Sequence, residues 1–464
     1  MFKSKNESVA GEKIDLAMSQ RSILFVTDQE DAFQSCIKPF EHQNLTLKLA
    51  LYNGKTLANT PNTPPAAIIC YLTTYEAKTA SIVSILRAYY GSIKIPIIAV
   101  LSKSKTTQQN IFDNIIIGPA HPKQIANRVE AYLRFGTIEQ EIKLRKETLE
   151  QNFGSYIRPL EDHKLSPFRI LFIGKASPSF MIIMNALQKK NVDITAAFTS
   201  FSAFDYLHET TFDAVIMNAV EEAEPALSIA ETMKRNSRLF HVPTLFVTQS
   251  QNVVYKDRAH QKGATDFIDV NSDPLEICGR VLELANYHRL HNNLEKTLQS
   301  LGDEITLNKV NKCYNRNFMD KHAKRVVSAC QQTNKAISFL ALKLIPQCSE
   351  KITHSKIEKA FIDIGLTFKS LVRIEDTVSL YTSDTYLFML ANTQYSEAEI
   401  ILERISALVN CIAFDSGNTQ SPLTLTLLTS IANVQSNETS KDTIKRVLHS
   451  LSPAPTKTLL QDIA

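Results

Sequence analysis

The chain has 464 residues, 44% of them apolar and 21% charged, with a formal net charge of only +4. That length suits about three domains, and so small a charge offers no basic field for nucleic acid. The seven cysteines include no C-x-x-C pair, which argues against a zinc site or a disulfide framework and suits a reducing, cytoplasmic setting.

The first twenty residues, MFKSKNESVAGEKIDLAMSQ, are polar and lack the apolar centre of a signal peptide. They read as a loose tail. No apolar run reaches membrane-spanning length, so no membrane span is expected. An internal repeat follows. Ile23-Leu24-Phe25-Val26 is echoed 147 residues later by Ile170-Leu171-Phe172-Ile173. Ala67-Ile68-Ile69-Cys70 matches Ala214-Val215-Ile216-Met217, and Ile95-Pro96-Ile97-Ile98 matches Val242-Pro243-Thr244-Leu245, at the same offset. Short branched apolar runs are the mark of strands buried on both faces of a parallel sheet. Amphipathic helix patterns such as Ala80–Tyr89 and Pro225–Arg235 lie between them. The alternation implies two doubly wound α/β domains, with any site at the carboxyl ends of their strands.

Thr137–Phe153 and Val281–Leu301 are charged and helical in period. They read as helices leaving each domain, packed on a partner or equally well presenting a solvated face. From Ile305 the pattern changes. A helix containing Asn315-Arg316-Asn317-Phe318-Met319 leads to a strand, Ala336–Ile345. Then come a helix over about Ile357–Val372, a hairpin, a helix at Ser396–Val409 and a strand at Leu423–Leu428. In the hairpin, Val378–Tyr381 and Tyr386–Met389 flank the polar turn Thr382–Thr385. One hairpin among separated strands and helices suggests an α+β sheet domain. The end of the chain from Ser452, with Pro453 and Pro455, reads as a fraying tail.

The order of these parts resembles the PleD-type response regulators: a receiver, a receiver-like adaptor and a GGDEF (diguanylate cyclase) domain. GATDFIDVNSDPLEICGRV resembles the end of a receiver, HNNLEKTLQSL the linker helix, and CYNRNFMD the segment that opens a GGDEF domain. The implied fold class is α/β: two CheY-like doubly wound parallel-sheet receivers followed by an α+β GGDEF, nucleotidyl-cyclase-like domain. The implied boundaries are a tail at 1–20, a first degenerate receiver at 21–136 and a connecting helix and linker at 137–167. A second degenerate receiver then takes 168–287, a linker helix 288–303, a degenerate GGDEF domain 304–450 and a tail 451–464.

Set against that family, the receiver chemistry is missing. A receiver needs carboxylates to hold Mg²⁺ and an aspartate to carry the phosphoryl group. In the first domain Asp28 survives, but the phospho-acceptor position falls at Tyr71, the Thr position at Leu101 beside Ser102, and the Lys-Pro pair at Gly118-Pro119. In the second, the acidic pair is Gly174-Lys175 and the acceptor position is Asn218. Thr248 is kept, and Val270-Asn271 replaces Lys-Pro. Asp28 reads better as a strand-end cap than as a metal ligand. The receivers read as protein-contact modules, which in the family form a dimer interface.

The resemblance also implies that cyclase chemistry is lost. The metal-carboxylate positions fall at Lys343 and Ile345, neither able to hold Mg²⁺. The signature turn becomes Thr382-Ser383-Asp384-Thr385-Tyr386, without the glycines that let backbone approach a nucleotide. Asp384 reads as a turn residue bonding its own backbone. The final helix and its lysine are not recognisable. No metal, catalytic residue or cyclase activity is expected. What the family comparison retains is an R-x-x-D product site: Arg373 and Asp376, completed by Arg404 from the next helix. Guanidinium groups suit guanine or phosphate, and a carboxylate suits the guanine N–H donors. The bland alternative is a surface ion pair worth little. The resemblance therefore implies a cytoplasmic, homodimeric cyclic di-GMP effector of the degenerate, PopA-like adaptor kind, with protein partners at the receivers. A nucleotide-independent scaffold is the alternative, and an active cyclase the weakest reading.

Overall fold

The computed structural model describes residues 21–453, apart from short internal segments of which the longest are 102–110, 156–165 and 417–421. The expected tail at 1–20, Ser102, Gly118-Pro119 and residues 454–464 lie outside the described residues. The chain divides into two compact units, Met1–Val129 and Glu130–Ala464.

The first unit carries β1 (Arg21–Thr27), α1 (Glu30–Glu41), β2 (Leu45–Tyr52), β3 (Leu57–Ala58), β4 (Ala67–Tyr71), α2 (Thr79–Tyr90), β5 (Ile97–Leu101) and β6 (Asn114–Ile117). Helix α3 (Pro122–Phe153) starts in this unit and continues into the next. The sheet order is β3-β2-β1-β4-β5-β6, parallel except for the edge strand β3. The link from β2 to β4 holds β3 and no helix, a departure from strict strand–helix alternation. Phenol donors fasten that link: Tyr52 to the Gly54 carbonyl at 2.9 Å and Tyr90 to the Pro61 carbonyl at 3.0 Å.

The second unit opens, after α3, with β7 (Phe168–Ile173), α4 (Pro178–Gln188), β8 (Val192–Ala197), α5 (Ser200–Glu209), β9 (Ala214–Asn218) and α6 (Ala223–Arg235). It continues with β10 (Thr244–Thr248), α7 (Val253–Gln261), β11 (Asp266–Asp269) and α8 (Pro274–Ser300). All five strands are parallel, in the order β11-β10-β9-β7-β8. This is a complete doubly wound sheet with helices on both faces. The repeat holds in register: β4 and β9, and likewise β5 and β10, start and end 147 residues apart.

The remainder forms one mixed sheet. Its elements are β12 (Tyr314–Asn315), α9 (Arg316–Thr333), β13 (Ile337–Gln347), α10 (His354–Leu371), β14 (Thr377–Leu380), β15 (Thr385–Ala391), α11 (Tyr395–Val409), β16 (Ala413–Phe414), β17 (Leu423–Asn433), α12 (Ser440–His449) and β18 (Ser452–Pro453). The order is β12-β14-β15-β13-β17-β16, with β18 paired to β17. Side chains alternate across β13. Leu340, Leu342 and Leu344 pack with Phe361, Ile364 and Phe368 of α10 and Leu402 and Ile405 of α11. Ile337, Phe339 and Ala341 face Met319 and Val326 of α9 and Ile444 and Val447 of α12. The expected class therefore holds: two doubly wound α/β sheets, then an α+β domain.

Several details differ from the sequence reading. The unrecognised final helix exists as α12. Thr439 caps it, accepting from the Asp442 N–H at 3.3 Å. The supposed fraying tail begins with a paired strand, Leu428 opposite Pro453. The hairpin's second strand starts at Thr385, and the strand at 423 runs on to Asn433. The helix at 137–153 is a packed element and not a solvated one: Ile138, Ile142 and Leu149 are buried with Leu298, Leu301, Tyr314 and Phe318.

Gly365 sits where the third domain leaves no room for a side chain. A Cβ there would lie 2.5 Å from the Tyr386 hydroxyl and 2.6 Å from Asn311 Nδ2. That hydroxyl donates to the Phe361 carbonyl at 2.7 Å and accepts from Asn311 at 2.9 Å. Gly365→Ala is expected to destabilise the domain by about 1–3 kcal/mol through overpacking. Urea unfolding would read this, and an unchanged midpoint would contradict the packing.

Candidate functional site

The segment from Leu371 to Thr377 joins α10 to β14 and carries the R-x-x-D motif. Helix α10 stops at Leu371, and a turn over Ile374-Glu375 brings the chain back to the sheet. Asp376 closes that turn: its N–H donates to the Arg373 carbonyl at 3.0 Å, and its Oδ2 accepts from the Arg373 N–H at 2.9 Å. Its Oδ1 accepts from the Ala391 N–H at 3.2 Å. The carboxylate is therefore turned inward, 5% exposed. The Arg373 side chain is exposed. Arg404, also exposed, donates from Nη2 to the Leu371 carbonyl. Arg404 thus reaches the end of α10, two residues before Arg373, while Asp376 ties the Arg373 backbone to the sheet. The contact between Arg373 and Asp376 runs through backbone N–H and is not the exposed ion pair of the bland alternative.

Beneath the turn lies a charged layer that sequence reading missed. Arg145, on α3, is 4% exposed. Its Nε donates to Glu141 Oε1 at 2.6 Å, and its Nη2 donates to the Glu375 carbonyl at 3.1 Å, the Asp376 carbonyl at 3.0 Å and Thr377 Oγ1 at 3.2 Å. Glu141 Oε1 also lies 2.8 Å from His322 Nε2 of α9, whose Nδ1 is 3.0 Å from Thr148 Oγ1. Arg134, a further α3 residue, reaches the buried Glu375 carboxylate at 3.5 Å. Glu375 Oε2 has no hydrogen-bond partner among the described residues. In sequence, Glu141 and Arg145 form an i,i+4 pair of the sort usually seen on a helix surface. The available signal was the apolar spacing of Ile138, Ile142 and Leu149, which marks a buried stripe on the same helix.

At the other end of the hairpin, Asp384 is committed to side chains rather than to its own backbone. Its Oδ1 accepts from the hydroxyls of Thr382 and Thr385, both at 2.8 Å, and its Oδ2 lies 3.4 Å from Lys343 Nζ. The cause is register: Lys343 on β13 stands opposite Thr385 on β15, and the Leu344 N–H donates to the Asp384 carbonyl at 2.8 Å. Burial favours a higher Asp384 pKa, but the two hydroxyls and the ammonium hold it below the ordinary carboxylate range. With a cation at 343 and an alkyl chain at 345, these residues do not fit a Mg²⁺ ion. Ser383 sits at the tip of the turn.

The receiver positions are filled by structural contacts. Asp28 Oδ1 accepts from the N–H and hydroxyl of Thr73 at 3.0 and 3.1 Å. Tyr71 ends β4 with its ring edge-on to Phe25 at 6.2 Å. Asn218 ends β9; its Oδ1 accepts from the Val220 N–H at 3.2 Å, and its Nδ2 reaches the Lys175 carbonyl and the Ser177 hydroxyl, each at 3.5 Å. Gly174 has φ +137°, and a Cβ there would lie 2.6 Å from the Asn218 Cβ, so the strand-end turn closes directly over this position.

Residues 306–455 match the family model described as "Diguanylate cyclase, GGDEF domain". That segment is a GGDEF domain, and two receiver-like sheets precede it. It is similar to the response regulator PleD of Caulobacter vibrioides, 22% identical over 242 residues, covering 50% of this chain and 52% of that protein. The chain thus spans about half the length of the curated relatives it matches. Among solved structures it resembles the GGDEF domain of DgcB from Caulobacter crescentus in complex with c-di-GMP, at 15% identity and a TM-score of 0.26, over 32% of this chain and 86% of that one. A response regulator from Chloroflexus aurantiacus matches at 16% identity and a TM-score of 0.25, over 26% of this chain and 99% of that one. Among the described residues no helix is long and apolar enough to cross a membrane.

Two buried carboxylates, one in the GGDEF domain and one on its packing helix, have pKa values shifted in opposite directions. Burial opposes ionisation of Glu141, but His322 and Arg145 draw it down to about 2. Its stabilising contribution is present above 4.5 and is lost as pH falls toward 2. Asp376 is pushed up to about 7, by burial first and by Glu375 second. Its contribution is complete below 3.8 and is lost as pH rises from there through 7. In urea unfolding, Asp376→Asn is expected to flatten the decline in stability from about pH 4 to pH 7. Glu141→Gln should flatten the acid loss below about pH 4.5 instead. Identical curve shapes for variant and wild type would contradict these assignments.

Proposed function

We propose that this protein is a catalytically inactive GGDEF effector that binds cyclic di-GMP through Arg373 and Arg404 and passes the signal to protein partners of its receivers. The reading is carried by Arg404 bonding the Leu371 carbonyl, two residues before Arg373, with both arginines exposed. Two guanidinium groups offer planar donors for a guanine edge or a phosphate, and each can stack on a base. Asp376 acts in this scheme as a positioning residue. Both of its carboxylate oxygens are held by backbone N–H groups, so it fixes the turn that presents Arg373.

Absence of cyclase activity follows in this proposal from the other end of the hairpin. Phosphoryl transfer from GTP needs metal ions to stabilise the developing charge. Lys343 already neutralises Asp384, the acid left in the signature turn. The receivers, with Tyr71 and Asn218 at the acceptor positions, serve as contact surfaces, consistent with an adaptor working as a homodimer. The inward-facing Asp376 favours a second reading, a scaffold that binds no nucleotide.

Isothermal titration of the full chain with cyclic di-GMP separates the two. Saturable binding is expected, weakened on the order of tenfold or more by Arg373→Ala or Arg404→Ala. Absence of heat at saturating ligand would leave the scaffold reading. Incubation with GTP and Mg²⁺ should yield no cyclic di-GMP, and turnover would overthrow the assignment of Lys343 and Ile345.

A further inference from the structure

We infer that helix α3 is the built-in reader of the Arg373–Thr377 turn, with Arg145 as the positioning residue that couples the two. The inference rests on the proposed nucleotide site for its ligand, though the coupling itself is a property of the chain without ligand. Helix α8 is the nearer element in sequence, ending at Ser300 shortly before β12 opens at Tyr314. Yet it is α3, ending far earlier at Phe153, that places charged groups under the turn.

Arg145 Nη2 is shared among three acceptors of consecutive residues, the carbonyls of Glu375 and Asp376 and the hydroxyl of Thr377. A guanidinium so placed cannot follow α3 if the helix shifts without also moving the turn or leaving a buried charge unpaired. Glu141 and His322 fix the other side of Arg145, so its position is set from α9 as well. Arg134 adds a looser contact to Glu375, whose second oxygen is buried without a partner among the described residues. The turn is thus held firmly through its backbone and loosely through one carboxylate. A ligand on Arg373, two residues before Glu375, pulls on the same few residues. Coupling of this kind ordinarily changes an equilibrium by about fivefold or more.

Amide hydrogen exchange on the full chain tests this, with and without cyclic di-GMP and with binding measured separately by titration. The ligand is expected to slow exchange of α3 amides 138–149 by roughly fivefold or more. Arg145→Met, brought to saturation with ligand, should lose that protection. Because Arg145→Met could fail to fold, Thr377→Val, which removes one acceptor and keeps the backbone, serves as the second variant. It should alter α3 exchange without any ligand. Binding with unchanged α3 exchange would overturn the inference while leaving the nucleotide site standing. Absence of binding would remove the nucleotide reading, and the Thr377→Val arm then decides the coupling: altered α3 exchange upholds it, and unchanged exchange overturns it.

Discussion

A buried guanidinium sets the terms for the third domain. Arg145 is removed from water and must have its donor directions answered, because an unpaired charge in that position costs several kcal/mol. The answer comes from three parts of the chain: Glu141 one helical turn earlier, the carbonyls of the Glu375–Asp376 turn, and the face of Tyr314 at 5.4 Å. Such a network is weak evidence for extra stability, since well-packed apolar groups can do as well. Its consequence is specificity of arrangement. Helix α3 fits against the domain in the register that puts Arg145 under this turn, and sliding it would strand both Arg145 and Glu141.

The two ends of the hairpin then follow different physical rules. At the tip, Lys343 and Asp384 neutralise each other beside solvent, with two threonine hydroxyls completing the carboxylate. At the base, the turn is tied down by Asp376 from within and by Arg145 from below, while the arginine side chains at 373 and 404 remain exposed. In the proposed nucleotide site, rigid backbone beneath and exposed donors above would lower the ordering cost of binding an anionic or planar ligand.

Much of the fold was legible in the residues. The apolar runs at Ile23, Ala67 and Ile97 and their counterparts 147 residues on are β1, β4 and β5 and β7, β9 and β10. Continuous burial on both sheet faces demands unbroken branched apolar residues, and that demand is local enough to read. The link between β2 and β4 was less legible, because a short edge strand and a pinned loop carry no periodicity. Helix α12 was missed because its apolar side is only a narrow stripe, Ile444 and Val447, among charged neighbours. Of the candidate site, Arg373, Asp376 and Arg404 could be named from spacing and resemblance. Which of them faces solvent could not, because Asp376 turns inward only once Ala391 on β15 supplies its N–H.

By itself, then, the sequence determined the repeat, the strand cores and the change of pattern after Ile305. These are properties of residue type and short-range order. Only the tertiary structure decided that the charged helix Thr137–Phe153 is a packed element, that Glu141 and Arg145 are buried, and that Asp376 serves the backbone. Those outcomes depend on partners between 15 and 232 residues away in the chain. A charge has the same identity on a surface as in a core, and only the packed neighbours distinguish the two.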